Sequence, residues 1–151
     1  CTTTFFMVLN FVAFSQQIKG VDLLEKAIKY HDPLGKWETF KGRFLVTMKT
    51  PKKSDRTSEI SIHLPEEQFL LKVKKDTIIT EYNLKKEECK ISLNGKTNLS
   101  NAILKANKLS CKRAKLFKNY YTYLYGLPMK LKDKGTIIAE KVEQKTFKEK
   151  P

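Results

Sequence analysis

Arginine is nearly missing from this chain. Of 30 basic residues in 151, only Arg43, Arg56 and Arg113 are arginines, and the lysines are scattered from end to end. A net charge of +14 would by itself suggest a nucleic-acid partner. Bidentate recognition of phosphates and base edges relies on the guanidinium fork, however. No nucleic acid is therefore expected, and a basic nucleic-acid-binding protein is kept only as a lesser alternative. A solvated, lysine-coated surface accounts for the charge, and attraction to an anionic membrane surface is the next consequence.

Histidine is scarce too: His31 and His63 stand far apart. No P-loop, GxGxxG, HExxH or GxSxG motif is present, and no zinc-finger spacing. The carboxylates fall in turns or on polar faces. No catalytic residue, metal ligand or cofactor is assigned, and the chain is not read as an enzyme. His31 and Asp32 are neighbours at a helix end, where side chains point apart, so they are expected to cap or meet solvent.

No apolar run reaches the roughly 20 residues that cross a bilayer. The longest, Phe5 to Phe14, is broken only by Asn10, and the small residues Ala13 and Ser15 precede Gln16 at cleavage-site spacing. Residues 1–15 are therefore expected to be a signal peptide, leaving 16–151 as a single α+β domain. The chain opens on Cys1 and closes on strand-like sequence, so a fragment truncated at its C-terminus is expected. Past the leader, cysteine is limited to Cys89 and Cys111. In an exported protein these form a disulfide or stay as two buried thiols; the sequence leaves both open.

What is present reads as helix, strands, helix. Asp22 and Glu25 form a capping-box pattern ahead of the stripe Val21, Leu24 and Ile28. His31 to Gly35 ends that helix. Alternation then predicts strands at 40–49, 59–64, 69–73, 78–84 and 89–93, with Pro51 to Asp55 as a turn and Asn94-Gly95 as a hairpin signal. His63 falls on the polar side of its strand. Thr97 to Leu109 reads as a helical turn or a loose strand. Thr136 to Val142 is expected as a sixth strand, with Thr146-Phe147 starting its partner. Short polar turns between strands argue for an antiparallel meander. The fold expected is thus a curved, half-barrel-like antiparallel sheet covered by the N-terminal helix and a second, tyrosine-rich one.

That second helix holds four of the six tyrosines. Ser110 caps its start and Gly126 stops it, with Pro128 just behind. Ala114, Phe117, Tyr120, Tyr121 and Leu124 share one face at 100° per residue; Lys112, Lys115, Lys118, Asn119 and Thr122 share the other. Arg113 lies on the aromatic side and needs either a carboxylate such as Asp133 or an anionic headgroup.

The run from Tyr120 to Leu131 (YYTYLYGLPMKL), with Tyr30-His31-Asp32-Pro33 and Trp37-Glu38-Thr39-Phe40 upstream, resembles an uncharacterised family of exported proteins from Gram-negative, Bacteroidota-type bacteria. The resemblance covers most of residues 21–148, with Lys134 a small departure where a proline is expected. It implies a periplasmic or secreted protein of the cell envelope. In architecture alone, the pattern is more distantly similar to the periplasmic lipoprotein carriers (LolA/LolB-like), although no lipobox cysteine follows the apolar run.

Together these readings predict a groove for a lipid, an acyl chain or another apolar ligand. Its lining would come from Trp37, Phe40, Tyr120, Tyr121, Leu124, Tyr125 and Met129, with Arg113 at a headgroup. The alternative is a ligand-free structural or interaction module of the envelope.

Overall fold

The computed structural model describes residues 17–143 and 145. The expected signal peptide and the expected strand start at Thr146-Phe147 lie outside the described residues. Five strands, β1 (Lys41–Thr50), β2 (Lys53–His63), β3 (Gln68–Lys75), β4 (Ile78–Lys85) and β5 (Glu88–Leu93), pair in chain order. The result is an open, curved antiparallel sheet of an α+β fold.

The register explains the core. Phe44, Ile60, Leu71, Tyr82 and Ile91 stand side by side across the five strands, and Gly42, Ile62, Phe69, Leu84 and Cys89 form the next row. Because side chains alternate, both rows share one face. Phe69, Ile60, Leu71 and Leu84 are fully buried there. The opposite face carries the row Leu45, Glu59, Lys72, Glu81 and Ser92.

The reversals at Lys52, Glu67, Asp76 and Lys86 each hold a non-glycine residue at φ between 50° and 60°. An L-residue there costs about 1 kcal/mol, so the paired strands and not the turn residues set these reversals. β2 consequently begins at Lys53, inside the segment expected to be a turn. Asn94-Gly95 does form a tight reversal (φ 48° and 79°), but it opens no further strand. Leu93 and Lys96 make one bridge. Asn94 instead ties back to β4: its Oδ1 accepts the Ile79 N–H at 2.7 Å, and its N–H donates to the Ile79 carbonyl at 2.7 Å.

Helices α1 (Gly20–His31), α2 (Asn101–Ala106) and α3 (Cys111–Tyr125) complete the fold. α1 starts two residues before the expected Asp22. Its N-cap is Lys19, whose side chain caps nothing, so the capping box does not form. The start is fixed instead by the chain near the C-terminus. Lys19 bridges Lys141, the Gly20 N–H donates to the Glu140 carbonyl at 3.0 Å, and the Ala139 carbonyl fills the space a Gly20 Cβ would need.

No residue of α1 is buried. The helix laid over the strands is α3, against β4 and β5. The sixth strand expected at Thr136–Val142 is not formed; the segment makes only that bridge. It has too few alternating apolar residues to hold a sheet edge, and Ile137 is almost wholly exposed.

Cys89 on β5 and Cys111 at the first residue of α3 are joined by a disulfide. Closing a loop of this size restricts the unfolded chain by roughly 3 kcal/mol. Replacing both cysteines by alanine should lower the unfolding free energy by about 2–4 kcal/mol in a denaturant titration. A loss below about 1 kcal/mol would mean that packing alone seats α3.

Candidate functional site

The site is organised by rings. Two short elements bring them together. Asp32, just past α1, accepts the backbone N–H groups of Lys36 (2.7 Å) and Trp37 (2.9 Å), which caps the 3-10 turn Trp37–Thr39. Both Asp32 oxygens thereby accept backbone N–H groups, and His31 lies edge-on to Tyr30 at 5.2 Å. Ser110 Oγ accepts the Arg113 N–H at 3.1 Å and starts α3; Gly126 ends it.

From Trp37 a line of aromatic contacts runs to the core. Trp37 meets Phe40 at 5.2 Å, and Phe40 meets Phe44 at 6.1 Å. Phe44 stacks on Tyr125 with centroids 3.8 Å apart and planes 2° from parallel. Tyr125 meets Tyr121 at 6.2 Å, and Tyr121 meets Phe69 at 6.3 Å. Further along α3, Phe117 sits edge-on to Tyr82 at 5.5 Å. The space between α3 and the sheet is thus filled by side chains of the protein itself.

This packing corrects the helical face read from the sequence. The inward residues are Ala114, Phe117, Tyr121 and Tyr125, whereas Tyr120 and Leu124 are exposed. The sheet presents Phe44, Phe69 and Tyr82 as docking points, and α3 turns to match them.

At the C-terminal end of α3 the rings leave a notch. A cavity of about 300 Å³ is lined by Trp37, Phe40, Tyr125, Leu127 and Met129, with His31, Asp32 and Lys36 at its polar side. Four of the eight expected ligand residues, Trp37, Phe40, Tyr125 and Met129, therefore converge. Tyr121 is in the core, and Tyr120 and Leu124 face out.

Arg113 is remote from the notch. Twelve residues separate it from Tyr125, about 18 Å along a helix. Its guanidinium lies over the Phe117 ring at 5.4 Å, and among the described residues no carboxylate pairs with it. Lys36 and Leu127 were not singled out in the sequence. The signal available was the Asp32-to-Trp37 spacing, which suits a side-chain cap and places Lys36 beside the tryptophan.

A larger cleft, about 520 Å³, lies on the face of the sheet away from α3. Cross-strand register explains its chemistry: Lys72 Nζ meets Glu81 Oε1 at 3.2 Å, Ser92 Oγ donates to Glu81 Oε2 at 3.0 Å, and Arg43 pairs with Glu59. These charges satisfy one another, so the cleft offers a ligand little that is unpaired. The apolar notch is the better candidate although it is smaller. Among the described residues no group of three or more His, Cys, Asp or Glu is placed to hold a metal.

A model of the DUF6503 family, a family of unknown function, matches residues 3–151. The chain belongs to that family. Sheet, α3 and notch all lie within the matched DUF6503 region. No curated protein and no solved structure matches the chain.

Two phenols in this DUF6503 packing are held neutral. Burial pushes the Tyr82 phenol up, partly opposed by the Arg113 charge, and burial with the neighbouring Tyr121 and Tyr120 phenols pushes Tyr125 up. Their contribution to stability is complete below the ordinary tyrosine pKa of about 10 and falls as pH rises above it. Alkaline unfolding should therefore be retarded in Tyr82→Phe, followed by circular dichroism together with phenolate absorbance.

Gly126 is buried where a Cβ would collide with the Trp37 ring and the Thr122 carbonyl. Gly126→Ala should cost about 1–3 kcal/mol and alter the Trp37 fluorescence spectrum. An unchanged spectrum and stability would mean that Trp37 does not pack there.

Proposed function

We propose that this protein is a non-catalytic binding module of the cell envelope, periplasmic or secreted, which holds an acyl chain with an anionic head at the notch beside Trp37. One observation carries the reading: Trp37 and Phe40 from one stretch of chain and Tyr125, Leu127 and Met129 from another surround a single cavity, with Lys36, Asp32 and His31 on its polar side. The volume, about 300 Å³, is at the lower bound of small-molecule sites. Each methylene buried there contributes roughly 0.8 kcal/mol, and the lysine pairs with the head. The Cys89–Cys111 disulfide is consistent with an oxidising compartment.

Trp37 is the only tryptophan and lines the cavity, so it reports occupancy directly. Titration with laurate should change its fluorescence saturably. Met129→Glu should weaken binding at least about tenfold by burying a like charge. Lys36→Glu should weaken laurate but spare dodecanol. A linear, non-saturating response in the wild-type protein would remove the reading.

The second reading is a ligand-free interaction module, favoured by the filled space between α3 and the sheet. It predicts no response of Trp37 to laurate.

A further inference from the structure

Helix α3 has a second apolar face. Leu116, Tyr120, Tyr123 and Leu124 recur at helical spacing and are 64, 57, 47 and 46% exposed. They form an exposed flank of the helix, with the Tyr120 ring edge-on to the buried Tyr121 at 5.1 Å. An apolar stripe this long on a protein surface calls for a partner, whereas single exposed leucines do not.

The surrounding charge identifies the partner's sign. From Cys89 to Lys132 the sequence has ten lysines and arginines and no carboxylate. Five of these cations, Lys105, Lys108, Lys112, Arg113 and Lys115, border an open groove of about 630 Å³ between α2 and α3. Its floor is Leu104, Leu109 and Leu116. Among the described residues only Lys115 of the five meets an acid, the exposed Glu87 at 3.5 Å. The first turn of α3 holds no acidic residue, although a helix start favours one.

We propose that the outer face of α3 docks on an anionic phospholipid bilayer. Leu116, Leu124 and the rings of Tyr120 and Tyr123 enter the boundary between headgroups and acyl chains. The lysines reach headgroup phosphates on flexible stems, as interfacial helices do. Tyrosine suits that depth, with its ring in the apolar layer and its hydroxyl in water. A duplex nucleic acid would use the cations but leave the leucines and tyrosines unburied, and arginine is scarce. This docking is independent of the notch, which opens on the Trp37 side of α3.

The test is co-sedimentation of the full chain with phosphatidylcholine vesicles, with and without about 30% phosphatidylglycerol, at two salt concentrations. Binding should require phosphatidylglycerol and weaken with salt. The pair Lys112→Glu/Lys115→Glu should lower the partition coefficient at least about tenfold. The pair Leu116→Ser/Tyr120→Ser should do likewise by removing apolar area buried in the bilayer, and its melting temperature is measured alongside because the Tyr120 ring also meets Tyr121 edge-on at 5.1 Å. The proposal is overturned if no vesicle sediments the protein, or if Leu116→Ser/Tyr120→Ser binds as wild type does, which would mean charge alone. Displacement from vesicles by double-stranded DNA that binds Leu116→Ser/Tyr120→Ser as it binds wild type, and Lys112→Glu/Lys115→Glu more weakly, would overturn it as well.

Discussion

The stack of Tyr125 on Phe44 is the contact on which the arrangement turns. The sheet has one apolar face and, among the described residues, one helix laid over it. A 15-residue helix is marginal by itself, so α3 depends on what it docks against. Its two ends are held differently. The Cys89–Cys111 bond ties the first residue to β5, and the Phe44–Tyr125 stack fixes the last turn over β1. Each aromatic pair adds about 0.5–1.5 kcal/mol beyond the area it buries. With both ends fixed, the helix can face only one way, and that orientation decides which side chains line the notch and which face water.

The period of two was legible in all five strands, because each has one buried side and the register follows from that. Two details were not. β2 extends through Lys53, Ser54 and Asp55, whose polar side chains give no strand signal, because the reversal uses a lysine at positive φ where glycine or asparagine would announce it. The segment near the C-terminus alternates weakly enough to suggest a strand, yet docks by backbone on the start of α1. The existence, caps and length of α3 were legible from Ser110 and Gly126. Its rotation was not, because tyrosine is compatible with either side of a helix and only the ring positions of Phe44, Phe69 and Tyr82 choose between them. Tyr120 and Leu124 followed that rotation away from the notch, Tyr121 went into the core as its face implied, and Arg113 is separated from the notch by distance along the helix.

The filled space under α3 limits what kind of cavity this fold offers. Ala114 is fully buried, and the rings of Tyr121 and Phe117 occupy the interval between helix and sheet. A ligand there would have to displace α3 and break its aromatic contacts. The notch needs no such displacement. It exists because Gly126 leaves room for the Trp37 ring and because Asp32 holds the chain that presents it. A small open site at a helix end thus coexists with a dense core, as the larger cleft on the bare face coexists with charges that satisfy one another.

Charge placement on α3 runs against the helix's own stability. Lys112, Arg113 and Lys115 crowd its first turns, where free N–H groups and the helix dipole favour carboxylates. The cost is a few tenths of a kcal/mol for each exposed charge. The disulfide sits at this same end, and there its restriction of the unfolded chain outweighs the repulsion several-fold. The covalent tie therefore lets a cationic, unfavourably charged helix start persist in a fixed position beside exposed leucine and tyrosine side chains. A helix shaped only to close the core would not need the cations.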